Sequence, residues 1–317
     1  MIGNWLKNIS LSLVLFNFGN LYSESLPSAF HNNLIHLKPV LVDGHQLTLF
    51  TDTGGGWNAI STELVTKYQW KVALKQADEG KLELVEMPSF REGKAIPKGD
   101  FNNFFEGKLL KLDQEKFDTF NADIDGFLGA RWHAGKIIDF NYRDQSISIY
   151  TQLPPEINSS SIVHLGFQKN EEGSYTTAFP RVTIEVAGKK LEMLFDTGAT
   201  ALLSKEAQKI LKFDDARVAT SFIAGSIFDG WTKEHPDWTV IANACSYSRA
   251  SMIKVPVIVI GGKNIGPVWF TRRPDNSFYQ YMSKYMDKPI DGALGGSALQ
   301  YIRIVVDYPR ELAYLIE

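Results

Sequence analysis

The triplet Asp-Thr-Gly occurs twice in this chain, as Asp52-Thr53-Gly54 and Asp196-Thr197-Gly198, and both copies stand in the same local context. An apolar, extended run precedes each one, over residues 40–51 with a turn at Asp43-Gly44 and again over residues 182–195. Each run reads as a β-hairpin that delivers an Asp at its end. Downstream, Ile124-Asp125-Gly126-Phe127-Leu128-Gly129 follows the first triplet and Ile290-Asp291-Gly292-Ala293-Leu294-Gly295 follows the second. After each comes another hairpin pattern, over 137–150 and 304–316. Motifs that recur in one order predict a chain made of two related lobes.

One Asp-Thr-Gly alone is an ordinary turn sequence. Paired and flanked in this way, the residues resemble the pepsin-like and retropepsin-like aspartic peptidases, whose halves each carry an apolar strand, Asp-Thr-Gly and a later Asp-Gly-X-Leu-Gly segment. The resemblance covers most of residues 35–317. It implies an all-β, bilobal pepsin-like acid-protease fold, with two pseudo-twofold-related β-barrel-like lobes and a few short helices. It also implies an aspartic endopeptidase in which Asp52 and Asp196, one from each half, activate water in the cleft between the lobes.

Chemistry explains why two copies are needed. Hydrolysing an amide without a metal or covalent nucleophile takes one group that removes a proton from water and another that gives one to the amide. Two close carboxyl groups sharing a proton do both, because like charges about 3 Å apart do not ionise together easily. By the same resemblance Gly54 and Gly198 let backbone amides approach the carboxylates, and Thr53 and Thr197 hydrogen-bond across to the opposite loop. Asp125 and Asp291 are read as turn and loop acids outside the chemistry.

Two departures from the family pattern bear on activity. Where many relatives place Ser or Thr after the triplet, this chain has Gly55 and Ala199, neither of which donates to a carboxylate. Losing donors to the ionised form raises the pKa values of the pair, so the expected optimum lies at weakly acid or neutral pH, with Thr200 as a possible replacement donor. The second departure is Gly55-Gly56-Trp57-Asn58. It reads either as a bulge that packs Trp57 beneath the lobe or as an altered site that binds peptide and cuts slowly. The alternative function is therefore a catalytically weak or inactive retropepsin-like protein that holds an extended peptide segment.

The organisation of the chain follows. With 317 residues, 44% of them hydrophobic, it has the material for two cores. The Pro- and Ser-rich stretch 153–161 marks the join, giving lobes over 26–155 and 156–317. Short helices are expected over 61–68 and 204–212, each opening with a hydroxyl residue and a Glu soon after, in equivalent places behind the two triplets. From triplet to Asp-Gly motif is 73 positions in the first lobe and 95 in the second, and the excess is assigned mostly to the aromatic-rich stretch 220–289. Residues 255–262 read as a buried strand with Pro256 near its start. A covering flap is expected over 86–101, with Phe90 or Phe101 in place of the usual Tyr.

Residues 1–25, apolar over 9–18 and ending in Ser23-Glu24-Ser25, read as a signal peptide too short for a membrane span. The single Cys245 leaves no internal disulfide, which favours a bacterial exported protein, periplasmic or secreted, over secreted eukaryotic relatives with several cysteines. No role is assigned to its thiol. A formal net charge of -3 provides no broad basic face, so no nucleic-acid partner is expected. The six histidines lack metal-ligand spacing, and no metal or organic cofactor is expected. The expected protein is a monomer acting on a peptide or protein substrate, with subsite residues unassigned.

Overall fold

Each Asp-Thr-Gly ends a strand, and the same kind of partner lies beside that strand in both halves of a computed structural model that describes residues 23–77, 80–99, 105–118, 123–155, 157 and 161–316. Leu49–Thr51 runs parallel to Gly126–Leu128, and the end of Lys189–Phe195 runs parallel to Gly292–Leu294. Strands dominate and the helices are short, so the chain is mostly β. The first half builds an eight-stranded sheet and the second a nine-stranded one.

Asp125 and Asp291 tie these crossings together in the same way. Asp125 pairs its amide with the Thr48 carbonyl and accepts the Thr48 amide on its carboxylate at 2.7 Å; Asp291 does both with Glu192, accepting at 2.9 Å. Their carboxylates act as backbone acceptors that close the ends of two parallel strands, where ladder partners run out.

A third sheet of six strands joins the halves. The hairpin Ile137–Asn141 with Ser146–Tyr150 meets the hairpin Arg303–Asp307 with Leu312–Ile316, and the two inner strands pair antiparallel from Ile137↔Asp307 to Asn141↔Arg303. Asp139, buried in this sheet, receives the Arg303 guanidinium on both oxygens and the Tyr150 hydroxyl. The sheet's edges come from Ser23–Ser25 and Ser161–His164. The last three residues of the expected signal segment thus belong to the fold, and residues 1–22 lie outside the described ones. The expected join at 153–161 also contributes its final residue to a strand.

The two halves differ in one large way. Strand Asn58–Ser61 follows the first triplet directly and leads into helix Thr62–Lys67, with the Ser61 hydroxyl accepting from the Leu64 amide. Its counterpart is Ser221–Ala224, leading into helix Gly225–Glu234. Three correspondences identify the match: the Gly129 amide donates to Asn58 Oδ1 and the Gly295 amide to Ser221 Oγ, the Ser61 and Ala224 amides donate to Asp125 and Asp291 carbonyls, and both strands pair with the Asp-Gly strand. Six positions separate Asp52 from Asn58, whereas 25 separate Asp196 from Ser221.

Most of the extra length of the second half therefore lies in residues 199–220, not in 220–289 as the sequence suggests. This insertion is strand Thr200–Leu202, helix Lys205–Leu211 capped by Ser204, and strand Arg217–Ala219 returning beside the first. The helix behind the second triplet exists, but it belongs to the insertion and is not the equivalent of Thr62–Lys67. Residues 255–262 also differ from expectation: Met252–Val255 ends before Pro256 and a separate strand Ile258–Ile260 begins after it, because a residue without an N–H suits a corner better than a ladder.

Candidate active site

Asp52 and Asp196 leave their strands in the same geometry, with the Asp52 amide donating to the Leu128 carbonyl at 2.9 Å and the Asp196 amide to the Leu294 carbonyl at 3.0 Å. The two loops are then locked to each other. The Thr53 amide donates to Thr197 Oγ1 at 3.1 Å and the Thr197 amide to Thr53 Oγ1 at 3.0 Å; the Thr53 hydroxyl passes its own proton to the Phe195 carbonyl at 2.6 Å. Both threonines are fully buried, so these groups have no water to fall back on.

The carboxyl groups meet as a result. Asp52 and Asp196 hydrogen-bond each other, the Gly54 amide donates to Asp52 Oδ1 at 2.7 Å, and the Gly198 amide donates to Asp196 Oδ1 at 3.1 Å. Each glycine also makes room for the opposite acid. A Cβ on Gly54 would stand 2.7 Å from Asp196 Cγ, and one on Gly198 would stand 2.2 Å from Asp52 Cγ. No side chain fits in either place.

Burial raises both carboxyls above the ordinary Asp range, Asp196 much further than Asp52. Against burial, Asp52 is held by the Asp196 hydrogen bond and by amides of Gly54, Gly198 and Gly55, whereas the nearby Asp52 charge pushes Asp196 up further. The pair therefore keeps one proton into a higher pH range than isolated carboxyls would, and titrates as a unit.

The missing hydroxyl at position 55 has a packing cause. A Cβ on Gly55 would lie 2.3 Å from the Phe127 ring, so Gly55 and Phe127 form a complementary pair. In the second half the repeat positions are Ala199 and Ala293, both small and both buried in one apolar cluster. Thr200 does not replace the donor, because its hydroxyl is spent on the Gly198 carbonyl at 2.7 Å.

Beneath the first loop lies a group that sequence spacing did not single out. His133, fully buried, contacts the Gly129 carbonyl through Nδ1 and Thr51 Oγ1 through Nε2, both at 2.9 Å. A carbonyl only accepts, so Nδ1 carries the hydrogen and Nε2 accepts from Thr51. Burial holds this imidazole neutral, lowering its pKa to about 3.

The space around the pair divides in two. On the Asp52 side is a cavity of about 580 Å³ with an aromatic wall that includes Trp57, Phe127, Phe179, Tyr281 and Tyr285. Trp57 is 52% exposed, which corrects the reading that it packs beneath the lobe. Tyr281 and Tyr285, also exposed, are the members of the aromatic-rich stretch that reach this cavity; most others, such as Phe228, Trp231 and Phe270, are core. On the Asp196 side, the insertion together with Phe222 and Arg273 bounds a second cavity of about 400 Å³.

Residues 86–99 of the expected flap do not cover the pair. The hairpin of this region is Val72–Ala77 with Gly80–Val85, upstream of it. Phe90 bridges Leu41 and packs against the core, the Arg91 amide donates to the Val40 carbonyl, and none of 86–99 lines either cavity at the pair; Phe101 lies outside the described residues. The stretch is held down by the first hairpin, a contact no local pattern announces. Among the described residues no group of three or more His, Cys, Asp or Glu side chains converges as metal ligands would, and no helix is long and apolar enough to cross a membrane.

No protein-family model matches the sequence, and no curated protein does. Among solved structures, the chain is similar to conglutin gamma, a basic 7S globulin from lupine seeds, at 8% identity and a TM-score of 0.49, over 92% of this chain and 94% of that one. At that level the likeness says nothing of activity or ligand.

Proposed function

We propose that the protein is an aspartic-type endopeptidase of bilobal pepsin-like architecture, with Asp52 and Asp196 as its catalytic pair. The observation that carries this reading is the mutual hydrogen bond of two part-buried carboxyls on loops tied together by Thr53 and Thr197. Asp52, ionised, takes a proton from a water held between the two acids. The hydroxide oxygen bonds to the peptide carbonyl carbon while Asp196 gives its proton to the carbonyl oxygen, forming a neutral tetrahedral diol. Asp52 then gives the proton it took to the amide nitrogen, the C–N bond breaks, and Asp196 recovers its proton from the diol.

The aromatic wall of the larger cavity suits an apolar side chain beside the scissile bond. A monomeric protein, exported to the periplasm or secreted, remains part of this proposal, as does a peptide or protein substrate. The test is cleavage of a diverse peptide mixture from about pH 3.5 to about pH 8, spanning the carboxyl range and above, beside Asp52→Asn and Asp196→Asn. Cuts lost in both variants support the reading. A folded wild type that binds but leaves all peptides whole points instead to a protein that holds an extended segment.

A further inference from the structure

The two cavities at the acid pair are lined differently, and Arg273 marks the one beside Asp196. Arg272 and Arg273 end the strand Val268–Arg273, where alternation sends neighbouring side chains to opposite faces. Arg272 turns away from the pair and clasps Asp229 with two bonds, Nε to Oδ1 at 3.0 Å and Nη2 to Oδ2 at 2.8 Å. Arg273 turns toward it. Its guanidinium carbon lies 4.0 Å from the centre of the Phe222 ring, and both residues line the cavity beside Asp196.

Arg181, Arg303 and Arg310 each lie on a carboxylate of the fold. The Arg273 guanidinium makes no hydrogen bond or ion pair among the described residues, although it is exposed to the cavity and close enough for its charge to act on Asp196. The ring beneath it fixes the plane of the guanidinium and leaves the N–H edge free, the presentation that receives a carboxylate bidentately. Among the described residues, the acidic groups lining this side are the two acids of the pair. Arg217 of the insertion lines the same cavity; the cation lining the other, Arg131, donates to the Thr176 carbonyl at 2.8 Å beside an aromatic wall.

We infer that the Asp196 side of the site is a carboxylate subsite, in which Arg273 receives either an acidic side chain or the terminal carboxylate of a bound peptide. As the specificity of the site this deepens the peptidase reading and rests on it for the peptide, while the carboxylate site itself requires only binding. The protein would then prefer a chain bearing an acidic group on one side of the scissile bond and an apolar or aromatic residue on the other.

The test uses blocked octapeptides of Leu, Phe and Ala with one Glu moved through each position, their Gln twins, and unblocked versions with a free or an amidated C-terminus. Binding is measured to Asp52→Asn, which should not cut, and turnover is measured with the wild type. Glu at one position should bind roughly 2- to 5-fold more tightly than Gln, the worth of an ion pair at an exposed guanidinium. If the terminal carboxylate is the ligand, the preference follows the free C-terminus instead. In the Asp52→Asn background, Arg273→Gln should bring the binding preference to near unity, and Arg273→Lys should restore part of it. Equal binding of Glu and Gln twins together with equal binding of free and amidated C-termini, or an equal loss of charged and neutral peptides in Arg273→Gln, overturns the inference. Selective binding without any turnover by the wild type would instead sink the peptidase reading and leave the subsite standing.

Discussion

Thr53 and Thr197 exchange hydrogen bonds across the molecule, each amide donating to the other's hydroxyl, at 3.1 and 3.0 Å. Because both are fully buried, the exchange sets where Asp52 and Asp196 stand relative to each other. Thr53→Val keeps the volume but leaves the Thr197 amide and the Phe195 carbonyl without their partner. We expect a loss of roughly 1–3 kcal/mol in denaturant melts, together with lower turnover; Thr53→Ser should recover most of both. Unchanged stability in the Val variant would show that the exchange contributes little.

Asp196→Asn separates chemistry from stability. A carboxyl whose folded pKa is raised contributes stability that is present below its unfolded pKa and is lost as pH rises through the folded one. Asn mimics the protonated acid and does not ionise. The variant should lose peptide cleavage by at least about 100-fold yet melt at a higher temperature than wild type at neutral pH, with the gap closing near about pH 4, the ordinary carboxyl range. A lower Tm at neutral pH would contradict the raised carboxyl.

Gly55 and Phe127 should behave as one unit. Gly55→Ser alone drives a Cβ into the Phe127 ring, 2.3 Å away, and should destabilise the protein. With Phe127→Ala added, the side chain has room beside Asp52, whose Oδ2 lies 3.0 Å from that Cβ position. A hydroxyl donating to the ionised acid lowers the pKa of the pair, so the double variant should work at more acid pH than wild type. A pH-rate profile that does not move, in a double variant shown to fold, would refute the role given to the missing donor.

His133 and His36 set a limit on acid tolerance. Burial lowers their pKa values from an ordinary 6.5 to about 3 and about 4. A depressed imidazole contributes stability that is whole above 6.5 and is lost as pH falls toward the folded value, because the unfolded chain takes up protons the folded one refuses. Each group should cost about 1.4 kcal/mol per pH unit through that window. Denaturant melts between about pH 6.5 and about pH 4 should show the slope, and His133→Gln should reduce it by one group's share. If the slope is the same in the variant, His133 is not held neutral.

What the sequence by itself determined was the repeat. Two Asp-Thr-Gly triplets, two Asp-Gly motifs and two hairpins are local patterns, and local backbone chemistry turns each into a strand end, a crossing or a turn wherever it occurs. Asp52, Asp196 and the two threonines could be named from those patterns and the family resemblance they carry. Tertiary structure decided what faces what. It matched Ser221–Ala224, rather than the strand right behind the second triplet, with Asn58–Ser61, because hydrogen bonds to the Asp-Gly strand fix the position and sequence distance does not. It placed residues 86–97 against the first hairpin instead of over the acids, and put Trp57 and Arg273 in the cavities at the pair. Those outcomes turn on contacts between segments far apart in the chain, where the deciding energies are steric fit and charge pairing, and neither leaves a mark on local residue spacing.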